Sequence, residues 1–172
     1  MEKALEEYNK ALSILPNDSY ALERKAAIIN ILEQEKEKIA AFNNTMSIAD
    51  KLLSEERYAE ATLQYEAALQ LYPNNNNARN KYEEAKNKKE IYDNQVDNFE
   101  KLVAEAQQLT LRKRYGEAIS KYQSALEIFP EDEDTKNEIA RLTVEKSISD
   151  RYNIAIAQAD SLYQEKSYEK AL

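Results

Sequence analysis

Side chains able to do chemistry are few in this sequence and mostly of one kind. There are 32 Asp and Glu against 24 Lys and Arg, a net charge of -8, with no His and no Cys. Adjacent carboxylates such as Glu55-Glu56 and Glu83-Glu84 could share proton-transfer work. With so many acidic residues, such pairs also arise by chance on solvated helices. The lack of His removes the commonest general base and metal ligand, and the lack of Cys removes thiol catalysis, disulfides and Cys-ligated zinc. Gly116 is the sole glycine, which leaves no Gly-rich phosphate loop. The run Glu131-Asp132-Glu133-Asp134 is acidic enough to attract a cation, but it lacks the alternating ligands and turn glycine of an EF-hand. No catalytic residue, no metal site and no cofactor are expected, and the chain reads as a non-enzyme.

Charge and hydropathy narrow the partners. Both signs are interspersed and the net charge is negative, so nucleic acid is not expected. No apolar run approaches the ~18 residues of a membrane span, and Met1-Glu2-Lys3-Ala4-Leu5-Glu6-Glu7 lacks a signal peptide's apolar stretch. A soluble chain without membrane insertion is the expectation. Asn17-Asp18-Ser19 and Asn43-Asn44-Thr45 fit a glycosylation pattern, and both also read as helix-start or surface residues.

Twelve Tyr are the remaining conspicuous side chains, and their spacing is regular. One Gly and three Pro are too few turn formers for a sheet protein, whereas Ala, Leu, Glu, Lys and Gln abound, so the class is all-α. Three segments then superimpose without gaps: residues 2–16, 58–73 and 115–130. Each carries Ala, Tyr four residues later, Ala three later and Pro five later, marking one face of a helix that stops at the Pro. Successive prolines, Pro16, Pro73 and Pro130, are 57 residues apart, while Tyr115 and Tyr168 are separated by 53. The units run about 1–57, 58–114 and 115–167, with a truncated fourth at 168–172.

The residues before each copy also align, with Ala49 and Leu52 matching Ala106 and Leu109, and Ala159 and Leu162. A helix ending in Ala-x-x-Leu, a short turn, then Tyr-x-x-Ala-x-x-x-Tyr-x-x-Ala and a terminal Pro resembles the tetratricopeptide repeat. The resemblance rests on Ala49, Leu52, Tyr58, Ala61, Tyr65, Ala68 and Pro73, and on Ala106, Leu109, Tyr115, Ala118, Tyr122, Ala125 and Pro130. It implies a right-handed helical-repeat solenoid, with residues 1–172 forming a single fragment of it. The period departs from the family's ~34 residues, some 20 residues being added after each Pro.

Those additions, from Tyr20 to Phe42, Ala78 to Phe99 and Thr135 to Tyr152, hold no Gly and no Pro. Apolar stripes cross the junctions as Leu22, Ala26, Ile29, Leu32, Ile39, Phe42, Met46, Ala49 and Leu52, and as Tyr82, Ala85, Tyr92, Val96, Phe99, Val103, Ala106 and Leu109. Short helices of about 14 residues alternating with long ones of about 30 to 36 are therefore expected. Asp97-Asn98 and Ser149-Asp150 offer the alternative, as caps that would start separate helices.

In the family, the first helix of each pair lines a concave surface for a partner peptide. Carried over slot by slot, the groove residues are Asn43, Met46, Asp50 and Leu53, then Glu100, Val103, Gln107 and Thr110, then Asn153, Ile156, Asp160 and Tyr163. Met46, Val103 and Ile156 share one slot. This row either forms a stripe for a partner or is covered by the added helical segments, the second being favoured. The family's Lys, Asn and Arg carboxylate clamp finds no match in Asn43, Met46, Ser47 and Asp50 or their counterparts.

The resemblance implies a protein-interaction scaffold for a protein or peptide partner, with Asp50, Glu100 and Asp160 favouring a basic one. The alternative is a structural spacer or self-assembly module of a larger multi-repeat protein. Both ends fall inside a repeat, so fraying or end-to-end self-association is expected. The resemblance also suggests a bacterial periplasmic or cell-envelope location.

Overall fold

The computed structural model describes the backbone of residues 1–169 and the side chains of residues 1–165. The expected fourth unit at 168–172 therefore lies, in its side chains and beyond Glu169 in its backbone, outside the described residues. All regular structure among the described residues is helical. Short helices α1 (Glu2–Ile14), α3 (Tyr58–Leu71) and α5 (Tyr115–Ile128) alternate with long ones, α2 (Ser19–Ser54), α4 (Asn76–Leu111) and α6 (Glu133–Glu169). The long helices have 36, 36 and 37 residues, about 54 Å at the usual rise. They run without a break through Asp97-Asn98 and Ser149-Asp150.

Two turn types recur, and both are written locally. After each short helix, the N–H of the residue two beyond the proline bonds to the carbonyl before it: Asp18 to Leu15 at 3.2 Å, Asn75 to Tyr72 at 3.0 Å and Asp132 to Phe129 at 3.2 Å. Proline has the φ that this turn position demands. The same Asp or Asn then caps the long helix, accepting from the backbone N–H of Ala21 at 2.8 Å, Ala78 at 2.9 Å and Thr135 at 2.8 Å. Each such cap stabilises its helix by about 1 kcal/mol.

After α2 the chain closes with Arg57 N–H on Leu52 O at 2.9 Å and Glu56 N–H on Leu53 O at 3.2 Å. After α4 the same pair is Arg114 on Leu109 at 2.9 Å and Lys113 on Thr110 at 2.9 Å. These are the paired bonds of a left-handed helix cap. Glu56 and Lys113 take its positive φ, 59° and 57°, where glycine is commoner.

The chain divides into two compact units, residues 1–90 and 91–172, and the division falls inside α4. In the first, α2 packs against both α1 and α3. Its core joins Met46, Ala49 and Leu52 of α2 to Ala61, Tyr65 and Ala68 of α3 and to Ala78 and Ala85 of α4. The alanines let backbones approach closely, and the Tyr65 ring fills the space beside them. In the second, Ala106 of α4, Ala118 and Tyr122 of α5 and Leu142 of α6 form the equivalent core. Ala61, Ala68, Ala118 and Ala125 are all fully buried, as the repeat pattern requires.

One part of the expected stripe is out of phase. Leu22, Ala26, Ile29 and Ile39 face solvent, and the buried side of the first half of α2 is Ala21, with Ile28 and Leu32 half-buried. The reason is tertiary: α1 and α3 pack against α2, and an apolar residue is buried only on the side that a neighbouring helix reaches.

Candidate functional site

The residues assigned to a groove divide by environment. Met46 is buried in the first unit's core and unavailable to a partner. Leu53, Val103 and Thr110 are half-buried, and the Thr110 hydroxyl donates to Ala106 O at 2.9 Å. Asn43, Asp50, Glu100, Gln107, Asn153, Ile156, Asp160 and Tyr163 are exposed. Within the row expected to be uniform, Met46 is 8% exposed, Val103 packs on the second core and Ile156 is 45% exposed.

In the first unit the polar residues at these places pair with one another. Tyr65 Oη donates to Asp50 Oδ1 at 2.5 Å, and Lys81 Nζ donates to the same oxygen at 2.7 Å. Burial works against the Asp50 carboxylate, but the hydrogen bonds from Lys81 and Tyr65 outweigh it and hold its pKa below the ordinary range. Burial first, and then the Asp50 charge, push the Tyr65 phenol well above its ordinary value.

The second unit has different residues in those places. Counting on 57 positions, Asp50 becomes Gln107, Tyr65 becomes Tyr122 and Lys81 becomes Glu138. The outcome is a cleft of about 270 Å³ lined by Phe99, Val103 and Gln107 of α4, Tyr122 of α5, and Asp132, Asp134, Thr135 and Glu138 at and after the α6 cap. Its floor is apolar and aromatic; its α6 wall is acidic. Burial, and then the Glu138 charge, raise the Tyr122 phenol's pKa. Hydrogen bonds from Thr135 lower that of Asp132, so this carboxylate is engaged in the cap. Glu138 lies beside Arg141 at 2.7 Å, and that contact lowers its pKa in turn.

Of the residues proposed from sequence, the cleft brings together Val103 and Gln107. It adds Phe99 of the apolar stripe, Tyr122 of the repeat pattern, and Asp134, Thr135 and Glu138, none of them among the expected groove residues. The 57-residue offset was the available signal: it places Glu138 opposite Gln107 where the first unit has Lys81 opposite Asp50. Glu131 and Glu133 point elsewhere, bonding to Lys136 at 3.1 and 2.9 Å, so the acidic run is divided between a cap, an ion pair and the cleft wall. A larger depression of about 520 Å³ lies on α4 and α5, lined by Lys101, Ala104, Gln108, Leu109 and Arg112 among others. Its charges are largely matched among themselves, with Lys121 on Glu105 at 2.6 Å and Arg114 on Glu117.

No protein-family model matches the chain, and neither a curated protein nor a solved structure matches it significantly. Among the described residues no helix is long and apolar enough to cross a membrane.

Proposed function

We propose that this chain is a protein-interaction scaffold, a right-handed helical-repeat solenoid of tetratricopeptide type, and that it holds an extended, basic segment of a partner protein. The observation that carries the reading is the cleft at Val103, Gln107 and Tyr122, apolar on its floor and carboxylate-lined along α6. An apolar side chain of the partner fills the space over Phe99 and Val103, and a neighbouring Lys or Arg meets Asp134 and Glu138. The repeated turns, caps and alanine contacts support the solenoid, because each unit reproduces the surfaces its neighbour needs.

A labelled peptide alternating Leu with Lys, titrated with the full chain and followed by fluorescence anisotropy, tests this. Binding is expected to weaken with salt and to weaken about tenfold or more on Val103→Asp. Binding indifferent to both would overturn the reading. The second reading, a spacer or self-assembly module, is favoured by one specific observation: Tyr152, Ile154, Ile156, Leu162 and Tyr163 all stand exposed on one helix.

A further inference from the structure

The exposed surfaces of α1 and of the outer part of α6 are the two halves of an interface seen already formed inside the first unit. There, Ala61 and Tyr65 of α3 share a core with Met46, Ala49 and Leu52 of α2. Their counterparts are Ala4 and Tyr8 on α1, and Ile156, Ala159 and Leu162 on α6. Ala61 is fully buried but Ala4 is exposed, and Ala49 is fully buried but Ala159 is exposed. Leu52 is 8% exposed, whereas Leu162 is 61% exposed. No residue of α1 is buried, and every residue from 151 to 165 is exposed.

The polar residues correspond as well. Asp50, which accepts from Tyr65 and Lys81, has Asp160 as its α6 counterpart. Tyr65 and Lys81, stepped back 57 positions, are Tyr8 and Arg24. Arg24 currently stacks over the Tyr20 ring at 5.2 Å. Each half therefore lacks what the other carries: a carboxylate on α6, and a phenol and a guanidinium on α1 and α2.

We infer that the chain assembles head to tail with a second copy of itself. α1 of one copy seats on the outer part of α6 of the other as α3 seats on α2, and Tyr8 and Arg24 close on Asp160 as Tyr65 and Lys81 close on Asp50. The two faces differ, so the contact is heterologous and leaves one of each free on every dimer, and growth continues beyond two. This develops the self-assembly reading and uses none of the cleft residues, so its failure and that of peptide binding are distinguishable.

Sedimentation of the full chain from micromolar to millimolar concentration gives the first test. The mass-average species is expected to grow past a dimer without saturating. A copy with its head blocked by Ala4→Arg and a copy with its tail blocked by Ala159→Arg should each be monomeric, and an equal mixture of the two should form a dimer and nothing larger. These positions are exposed, so both variants should keep the parent's helical circular dichroism and melting. Arg24→Glu and Asp160→Arg should each weaken assembly about tenfold, and the double variant should restore it. A chain monomeric at millimolar concentration would assign the two faces to other partners and overturn the proposal. Growth that stops at a dimer, or a charge swap that fails to restore assembly, would do the same.

Discussion

Tyr65 and Tyr122 hold the same slot of successive repeats, and both rings are buried, yet the two surroundings behave differently. Around Tyr65, Asp50 and Lys81 neutralise each other. Around Tyr122, Gln107 and Glu138 line a cleft, and Glu138 pairs with Arg141 of its own helix rather than across to α4. The ends of the short helices show a similar split. Phe42 meets Tyr72 edge-on at 5.1 Å while the Tyr72 hydroxyl donates to Glu35 and Lys38 sits over the ring. In the second unit Phe129 takes both Phe99, at 5.2 Å, and Tyr92, at 6.0 Å. The equivalent alanines, Ala61, Ala68, Ala118 and Ala125, and the central tyrosines are buried in both units. A few variable positions then decide whether the charges beside the tyrosine pair across helices, as Asp50 and Lys81 do, or within one, as Glu138 and Arg141 do.

The comparison breaks most visibly if the two tyrosines are not equivalent as core residues. Tyr65→Ala and Tyr122→Ala should each cost about 3 to 5 kcal/mol through the cavity left behind, measured by urea unfolding. A negligible loss at either site would remove that unit from the repeat register. Next in size, Ala61→Leu and Ala118→Leu should each cost about 1 to 3 kcal/mol by overpacking a helix contact. Matching values would confirm that the two contacts are the same.

Removing only the hydroxyls sharpens the contrast. Tyr65→Phe loses a hydrogen bond to a carboxylate and should cost about 1 kcal/mol, Asp50 being half-exposed and the bond correspondingly screened. Tyr122→Phe should cost about half of that or less. The same difference should appear with acid. The Asp50 pKa is depressed on folding, so its contribution is present above the unfolded value of about 3.9 and is lost as pH falls through the folded one. Asp50→Asn should flatten the acid limb of the stability curve, whereas a change at Gln107, which does not titrate, should leave it alone. The smallest effect on stability, within about 1 kcal/mol, is expected for the graft Gln107→Asp with Glu138→Lys. That double variant should nevertheless abolish binding of the basic peptide, since it replaces a carboxylate of the cleft wall by an ammonium and installs the cross-helix pair of the first unit.

Much of the architecture was legible because it is encoded locally. Pro16, Pro73 and Pro130 stop the short helices, and Asp18, Asn75 and Asp132 start the long ones within three residues. Both signals act through the backbone of their own turn. The site was legible only in part: Val103 and Gln107 were placed in a groove, but Glu138 was not. Its approach to Gln107 joins residues 31 positions apart, and nothing local announces that. The error in the phase of α2, where Leu22 and Ile29 were expected inside, has the same origin. An apolar residue on an amphipathic helix is buried only if a neighbouring helix reaches it.

What the amino-acid order determined alone was the helical class and the turns at Pro16, Pro73 and Pro130, since propensity, proline and capping residues act over a few positions, whereas the continuity of the long helices through Asp97-Asn98 and Ser149-Asp150 was open until the structure showed it. Only the tertiary structure decided which copies of an equivalent residue are buried. Met46 and Ile156 share a slot and a chemistry, yet one lies in a core and the other in water. Burial depends on surface supplied from elsewhere in the fold: α3 covers Met46, while among the described residues nothing buries Ile156.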